Sequence, residues 1–224
     1  MAVYTKISKN DLTSINKKFY FEDFQSFKGI KQGIENTNYL LRSKNKKFIL
    51  TIFEKRVVKK EIPFFMKLMD QLSNLNINCP KPLKNNRGNY LIRVKNKISC
   101  VVTFLDGKDK KKLNLKNCFD IGKTVAQMHL STKKLKLYRK NSMGIKNLNP
   151  LLNSIKFKSK KFINLEKFLK NNLQDIKDKW PKKLPHGIIH GDLFIDNIFF
   201  KGNKLSGIID FYFACLLYTS DAAD

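Results

Sequence analysis

Two short runs hold the residues best suited to chemistry. His190-Gly191-Asp192-Leu193-Phe194-Ile195-Asp196-Asn197 is followed, after one turn, by Gly207-Ile208-Ile209-Asp210-Phe211. Moving a phosphoryl group from ATP to a hydroxyl needs a carboxylate beside the accepting oxygen and oxygen ligands that hold Mg²⁺ on the phosphates. Asp192 and Asn197, five residues apart on one loop, can aim at one cleft, and Asp210 at the end of the next strand can close a metal site from the other side. Magnesium takes oxygen ligands and keeps several waters, so two protein ligands suffice. Taken singly, Asp192 and Asn197 read as turn-capping residues. Together, with His190 in front and an apolar-apolar-Asp strand end thirteen residues past Asn197, they point to phosphoryl transfer.

Such a set needs a scaffold to aim it. The first half of the chain reads as strands joined by turns: Gln25–Ile30, Asn38–Arg42, the apolar run Lys47–Phe53, and a hairpin of Tyr90–Val94 with Lys97–Leu105 turning at Lys95-Asn96. Between them a helix is predicted over Glu61–Leu75. Pro63 is tolerated in its first turn, and Phe64, Phe65, Leu68, Met69 and Leu72 share a face. Past Asp106-Gly107 the pattern turns helical. Asn117–Leu130 carries Phe119, Ile121, Val125, Met128 and Leu130 broadly on one side, and Pro150–Trp180 predicts one or two more helices. Short hairpin-like strands then carry the reactive runs: Gly187–His190 with Asn197–Phe200, and Lys204–Phe211 after a turn at Lys201-Gly202-Asn203. This predicts an α+β fold of two lobes, a small antiparallel β lobe over residues 1–106 and a mostly helical lobe over residues 107–214.

Composition narrows the classes. At 224 residues, 42% hydrophobic and with 18 Phe, the chain can bury a core and is not a disordered polymer. No apolar run approaches the ~20 residues of a membrane span, and the opening MAVYTKISKND has no signal-peptide core, which predicts a cytoplasmic protein without a membrane partner. Cys79, Cys100, Cys118 and Cys215 are scattered, as expected of reduced thiols. The net charge of +27 invites a nucleic-acid reading. Only Arg42, Arg56, Arg87, Arg93 and Arg139 are Arg, however, and Lys rises together with Asn and Ile, with which it shares A/T-rich codons. Diffuse Lys makes a solvated coat rather than a reading stripe, so no specific nucleic-acid partner is expected.

The pattern H-G-D-x-x-x-x-N resembles the aminoglycoside-phosphotransferase-like branch of the protein-kinase-like superfamily. That resemblance implies ATP and Mg²⁺, with Asp192 as catalytic base, His190 bracing its loop, and Asn197 and Asp210 as metal ligands. Gly33-Ile34-Glu35-Asn36-Thr37-Asn38-Tyr39 is similar to the family's G-x-x-N-x-x-Y turn over the phosphates, where a Gly lets exposed N–H groups approach an anion. By the same resemblance Gly33, Glu35, Asn36, Thr37 and Asn38 would contact nucleotide. The hinge would be Val101–Leu105, with Thr103 and Leu105 beside adenine. More narrowly, FKGIKQGIENTNYLLR, FILTIFEKRV, PFFMKLMDQL, HGDLFIDNIFF and LSGIIDFYFAC resemble the bacterial homoserine kinases of this fold. The implied acceptor is L-homoserine, with O-phospho-L-homoserine formed on the way to threonine. Other small-alcohol kinases of the same fold, acting on choline, an aminoglycoside or methylthioribose, are the neighbouring readings, with a catalytically silent nucleotide-binding scaffold as a third.

Two departures stand out. Kinase-like folds pair a basic residue on the Phe48–Phe53 strand with a Glu on the next helix; those positions hold Thr51 and Phe65, leaving Lys55 or Arg56 to reach the phosphates from the strand end. Losing both members is coherent, because one alone would be a buried unpaired charge. The ending CLLYTSDAAD matches the translation of a transposon-end sequencing adapter. Residues 215–224 are therefore expected to be a non-native tail, Leu216–Asp224 in particular, and the helices that would complete the second lobe are expected to be missing. His129, at the end of AQMHL, is expected to be a packed helix residue.

Overall fold

The N-terminal segment shows how local chemistry fixes an element. Ser8 and Asp11 cap each other reciprocally, and helix α1 (Lys9–Phe19) follows, burying Leu12 and Ile15 four and seven residues on from Ser8. The computed structural model describes residues 3–31, 33, 35–54, 57–155, 160–180 and 185–217. Lys55 and Arg56 lie outside them.

Strands β1 (Phe24–Gly29), β2 (Thr37–Ser43), β3 (Lys47–Ile52), β4 (Leu91–Val94) and β5 (Lys97–Thr103) form one antiparallel sheet in the order β1-β2-β3-β5-β4. The β4–β5 turn works because Lys95 and Asn96 both adopt positive φ, as a two-residue hairpin requires. Because side chains alternate along a strand, β3 is buried on both faces. Phe48, Leu50 and Ile52 pack toward α1 with Tyr39, Leu41 and Val101. Ile49, Thr51 and Phe53 face the other way, toward α2 (Ile62–Asn74). That helix begins with Pro63 in its first turn and buries Phe65, Leu68, Met69 and Leu72.

The core over α2 continues into the second half through Met128, Ile188, Ile208 and Phe211. There α3 (Leu115–Thr132), α4 (Ile145–Ser154) and α5 (Lys160–Lys179) are joined by two small strand pairs. These are β6 (Gly187–Ile189) with β9 (Cys215–Leu217), and β7 (Ile198–Lys201) with β8 (Lys204–Ile208). The fold is α+β and two-lobed.

Helix α1 lies ahead of the first expected strand, in a stretch to which the sequence reading assigns no element, and its capping box and Leu12/Ile15 spacing account for it. Two expectations are corrected. The Gly187–His190 strand does not pair with Asn197–Phe200; β6 pairs with β9, and β7 pairs with β8 across the Lys201–Lys204 turn. On α3, Phe119 and Leu130 are exposed, while Ile121, Val125 and Met128 line the inner face. Steps of four and three residues hold one helical face, and a step of two turns a side chain away from it. Of the tail set apart in the sequence, 215–217 form β9 and 218–224 lie outside the described residues. Among the described residues no helix is long and apolar enough to cross a membrane.

Candidate active site

The His190–Asn197 loop leaves β6 and enters β7 through a short 3₁₀ turn at Ile195–Asn197. His190 is buried at its start, with only 2% of its surface exposed. Its Nε2 lies 2.9 Å from the Ile209 carbonyl, and its Nδ1 accepts the Asp192 N–H at 3.3 Å. One nitrogen thus donates and the other accepts, which is the neutral imidazole. Burial lowers its pKa, against the carbonyl of Ile209 and the charge of Asp192, and so favours that form. His190 therefore ties the loop to the residue just before Asp210.

Asn197 adds a second tie. Its Nδ2 donates to the Asp192 carbonyl at 2.8 Å and reaches the Asp192 carboxylate at 3.3 Å, while its own carbonyl accepts from Ile209 N at 2.9 Å. With Nδ2 committed inward, Oδ1 is the amide atom left to face a ligand. Gly191 has φ +81, and a Cβ there would sit 2.4 Å from the Phe213 carbonyl, so only glycine lets the loop lie against the segment after Asp210.

Asp210 ends the hairpin in the left-handed region, φ 63 and ψ 62. Its side chain is solvent-accessible by surface area yet hemmed in by surrounding protein. That crowding, then the charge of Asp192, pushes its pKa up to about 6; Glu35 and Asp196 add to the rise and the Tyr212 N–H opposes it. Four carboxylates from three segments thus lie near enough for their charges to oppose one another. Gly33, in the turn before β2, has φ +92 with open space where a Cβ would be.

The remaining nucleotide candidates divide. Asn36 is buried and accepts the Glu54 N–H at 3.3 Å. Thr37 is also buried: its hydroxyl accepts from Tyr4 N and Thr5 N and donates to Glu54 at 2.7 Å, which anchors the N-terminal segment beneath the turn. Glu54 in turn pairs with Lys97. Burial works against the ionised Glu54, but the hydrogen bonds from Lys97, Thr37 and Thr5 outweigh it and hold its pKa below the usual value. Thr103 spends its N–H on Lys81 O at 2.9 Å, and its hydroxyl accepts Lys81 N at 2.8 Å. Phe104 donates to Lys47 O on the β3 side, and Leu105 beyond it is half-buried.

Asn38 was expected as a nucleotide contact and Thr51 in place of a basic residue, while the roles of Cys100 and Tyr212 escaped the sequence reading. Asn38, Thr51 and Cys100 stand in register across β2, β3 and β5. Thr51 donates to Asn38 Oδ1 at 2.8 Å, and Tyr212, two residues past Asp210, brings its hydroxyl within hydrogen-bonding reach of Thr51 and Cys100. Where a charged pair was expected, neutral groups therefore link the sheet to the Asp210 segment. A Tyr between two Phe carries no sequence signal of that role. Burial pushes the Cys100 thiol up to about 12, so it is no nucleophile. His129 is half-buried on α3, and burial lowers its pKa. A cavity of about 650 Å³ lies behind the β7–β8 hairpin, between Asn78, Lys123 and Gly207, away from these carboxylates.

Comparison with known proteins gives the arrangement its kin. Residues 26–218 match the model of the phosphotransferase enzyme family. The homoserine kinase of Parvibaculum lavamentivorans is 38% identical over 216 residues, 96% of this chain and 67% of that protein. The homoserine kinase of Bradyrhizobium diazoefficiens is 39% identical over 217 residues, 96% of this chain and 66% of its own. The chain thus spans about two thirds of the length of these curated relatives. Among solved structures, an amicoumacin kinase in complex with AMP-PNP, Ca²⁺ and its antibiotic superimposes with a TM-score of 0.74 at 17% identity, over 96% of this chain and 67% of that one. A microcompartment-associated aminopropanol kinase gives 0.69 at 15%, over 92% and 70%. At these identities the structures share the fold, whereas the family match and the closer sequence relatives give the lineage: the chain belongs to the phosphotransferase enzyme family.

Proposed function

We propose that the protein transfers the γ-phosphoryl group of ATP to the hydroxyl of L-homoserine, giving ADP and O-phospho-L-homoserine. One observation supports the chemistry: Asn197 is bonded to Asp192, Asn197 and His190 are both bonded to Ile209, and Asp210, the next residue, feels the charges of Asp192 and Glu35. The acceptor follows from the relatives at 38–39% identity, which are homoserine kinases. Residues 1–106 would form the nucleotide-binding part and 107–214 the catalytic part of a cytoplasmic enzyme.

In this reading the adenine lies at the end of β5, next to Leu105 and beyond Thr103, whose N–H and hydroxyl are taken by Lys81. The turn from Gly33 through Asn38 covers the phosphates, with Gly33 and Glu35 at its open side and Asn36 and Thr37 shaping it from beneath. Asn197 Oδ1 and the Asp210 carboxylate would hold Mg²⁺. The fit rests on the donor set, a hard amide oxygen and a carboxylate that feels the charge of Asp192, which a divalent cation would relieve. When bound, magnesium neutralises charge on the phosphates.

Asp192 orients the attacking hydroxyl and takes its proton. The hydroxyl oxygen forms a bond to the γ-phosphorus as the bond to the bridging oxygen of ADP breaks, so ADP leaves with that electron pair. His190 keeps the Asp192 backbone in place, and Asn197 keeps its carboxylate aimed. A coupled ADP-release assay with L-homoserine, choline, an aminoglycoside and methylthioribose tests the acceptor. Turnover with homoserine well above the others is expected, and preference for any other acceptor would overturn the assignment.

A further inference from the structure

Asp210 sits in the left-handed region, which Asp tolerates better than most residues with a side chain, and its neighbours on both sides hold it there. Upstream the enforcement is plain: Ile209 is bonded by its N–H to Asn197 and by its carbonyl to His190. Downstream the chain makes a 3₁₀ turn at Phe211–Phe213, and the carbonyls of Phe213 and Ala214 point to a single side chain, Arg139.

Arg139 Nη1 donates to those carbonyls at 3.2 and 3.1 Å, while its Nε donates to Glu61 at 2.8 Å. Its guanidinium also lies over the Phe65 ring, 5.1 Å from the centroid. The Arg139 side chain is only 10% exposed, with Glu61 as its counter-charge at the start of α2. A planar fork can serve a carboxylate, two carbonyls and a ring face at once, which a lysine ammonium cannot. The Phe213 carbonyl is also the atom against which Gly191 packs. One guanidinium therefore braces the segment after Asp210, the turn beside Asp192 and the beginning of α2.

We infer that Arg139, neutralised by Glu61, is a positioning residue that holds Asp210 in its metal-binding conformation from the downstream side. This rests on the reading of Asp210 as a metal ligand. Supporting groups around metal ligands typically change metal affinity 10–100-fold when removed. The test is calorimetric titration of the protein–ADP complex with Mn²⁺ for wild type, Arg139→Met, Arg139→Lys, Glu61→Gln and Asp210→Asn, with hydrogen exchange of the Phe211–Ala214 amides. Expected are roughly tenfold weaker Mn²⁺ binding and faster exchange in Arg139→Met, with partial recovery in Arg139→Lys. Glu61→Gln should have a smaller effect, because the carbonyl contacts survive. Wild-type Mn²⁺ affinity in Arg139→Met beside weak binding in Asp210→Asn overturns the role of Arg139. Wild-type affinity in Asp210→Asn overturns the reading of Asp210 itself. Should Arg139→Met fail to fold, Arg139→Lys decides by the same comparison, with unchanged affinity and exchange counting against the inference.

Discussion

The Asn197 Nδ2 atom lies 2.8 Å from the backbone oxygen of Asp192 and 3.3 Å from its carboxylate. One amide thus aims the proposed base and leaves its own oxygen for the proposed cation. Asn197→Ala removes both functions, and Asn197 is nearly buried, so the two Asp192 oxygens would lose a partner in a confined space. Turnover should fall at least tenfold and the Mg²⁺ concentration for half-maximal rate should rise. Steady-state kinetics across a Mg²⁺ series checks both; a fall in rate at unchanged Mg²⁺ dependence would separate Asn197 from the metal.

Asp210 gives a pH signature in protein free of metal and nucleotide. Its pKa is about 6 in the fold against 3.8 for the free side chain, so the folded state holds the proton more tightly. Its contribution to stability is fully present below about 3.8 and is lost as pH rises through about 6. Asp210→Asn should therefore gain on wild type between pH 4.5 and 7.5 in urea melts. An equal difference at both pH values would show that the carboxyl is not crowded as described.

Gly191 is required on two counts, φ +81 and the nearby Phe213 carbonyl. Gly191→Ala should cost about 1–3 kcal/mol of stability from the backbone alone. It should also lower turnover, because the loop must back away from the Asp210 segment. Thermal melting and kinetics on the same preparation measure both effects. A variant of unchanged stability and rate would mean that the loop tolerates displacement.

The legible parts of the sequence were those with local causes. The β4–β5 turn, the apolar face of α2 and the alternation in β3 follow from residue type and spacing. His190, Asp192, Asn197 and Asp210 stood out because their pattern is compact. Long-range pairings were not legible: nothing in Gly187–Ile189 says that its partner is Cys215–Leu217 rather than the adjacent strand. Thr51 read as a missing charge, and only the register of three strands shows it beside Asn38 and Cys100. Arg139 had a signal of a kind, being one of five Arg among 45 basic residues in a chain that otherwise spends Lys. Thr37, read from its motif as a nucleotide contact, also holds the N-terminal segment, a role set by packing from 32 residues away.

In the proposed reaction Asp192 accepts a proton as the phosphoryl group reaches homoserine. Phosphorus NMR of ATP, Mg²⁺ and L-homoserine with wild type and Asp192→Asn tests this directly. A phosphoester signal should grow with wild type as ADP forms, and its rate should drop roughly 10²–10⁴-fold in Asp192→Asn. Equal rates in the two proteins, or ADP formed without the phosphoester of homoserine, would contradict it.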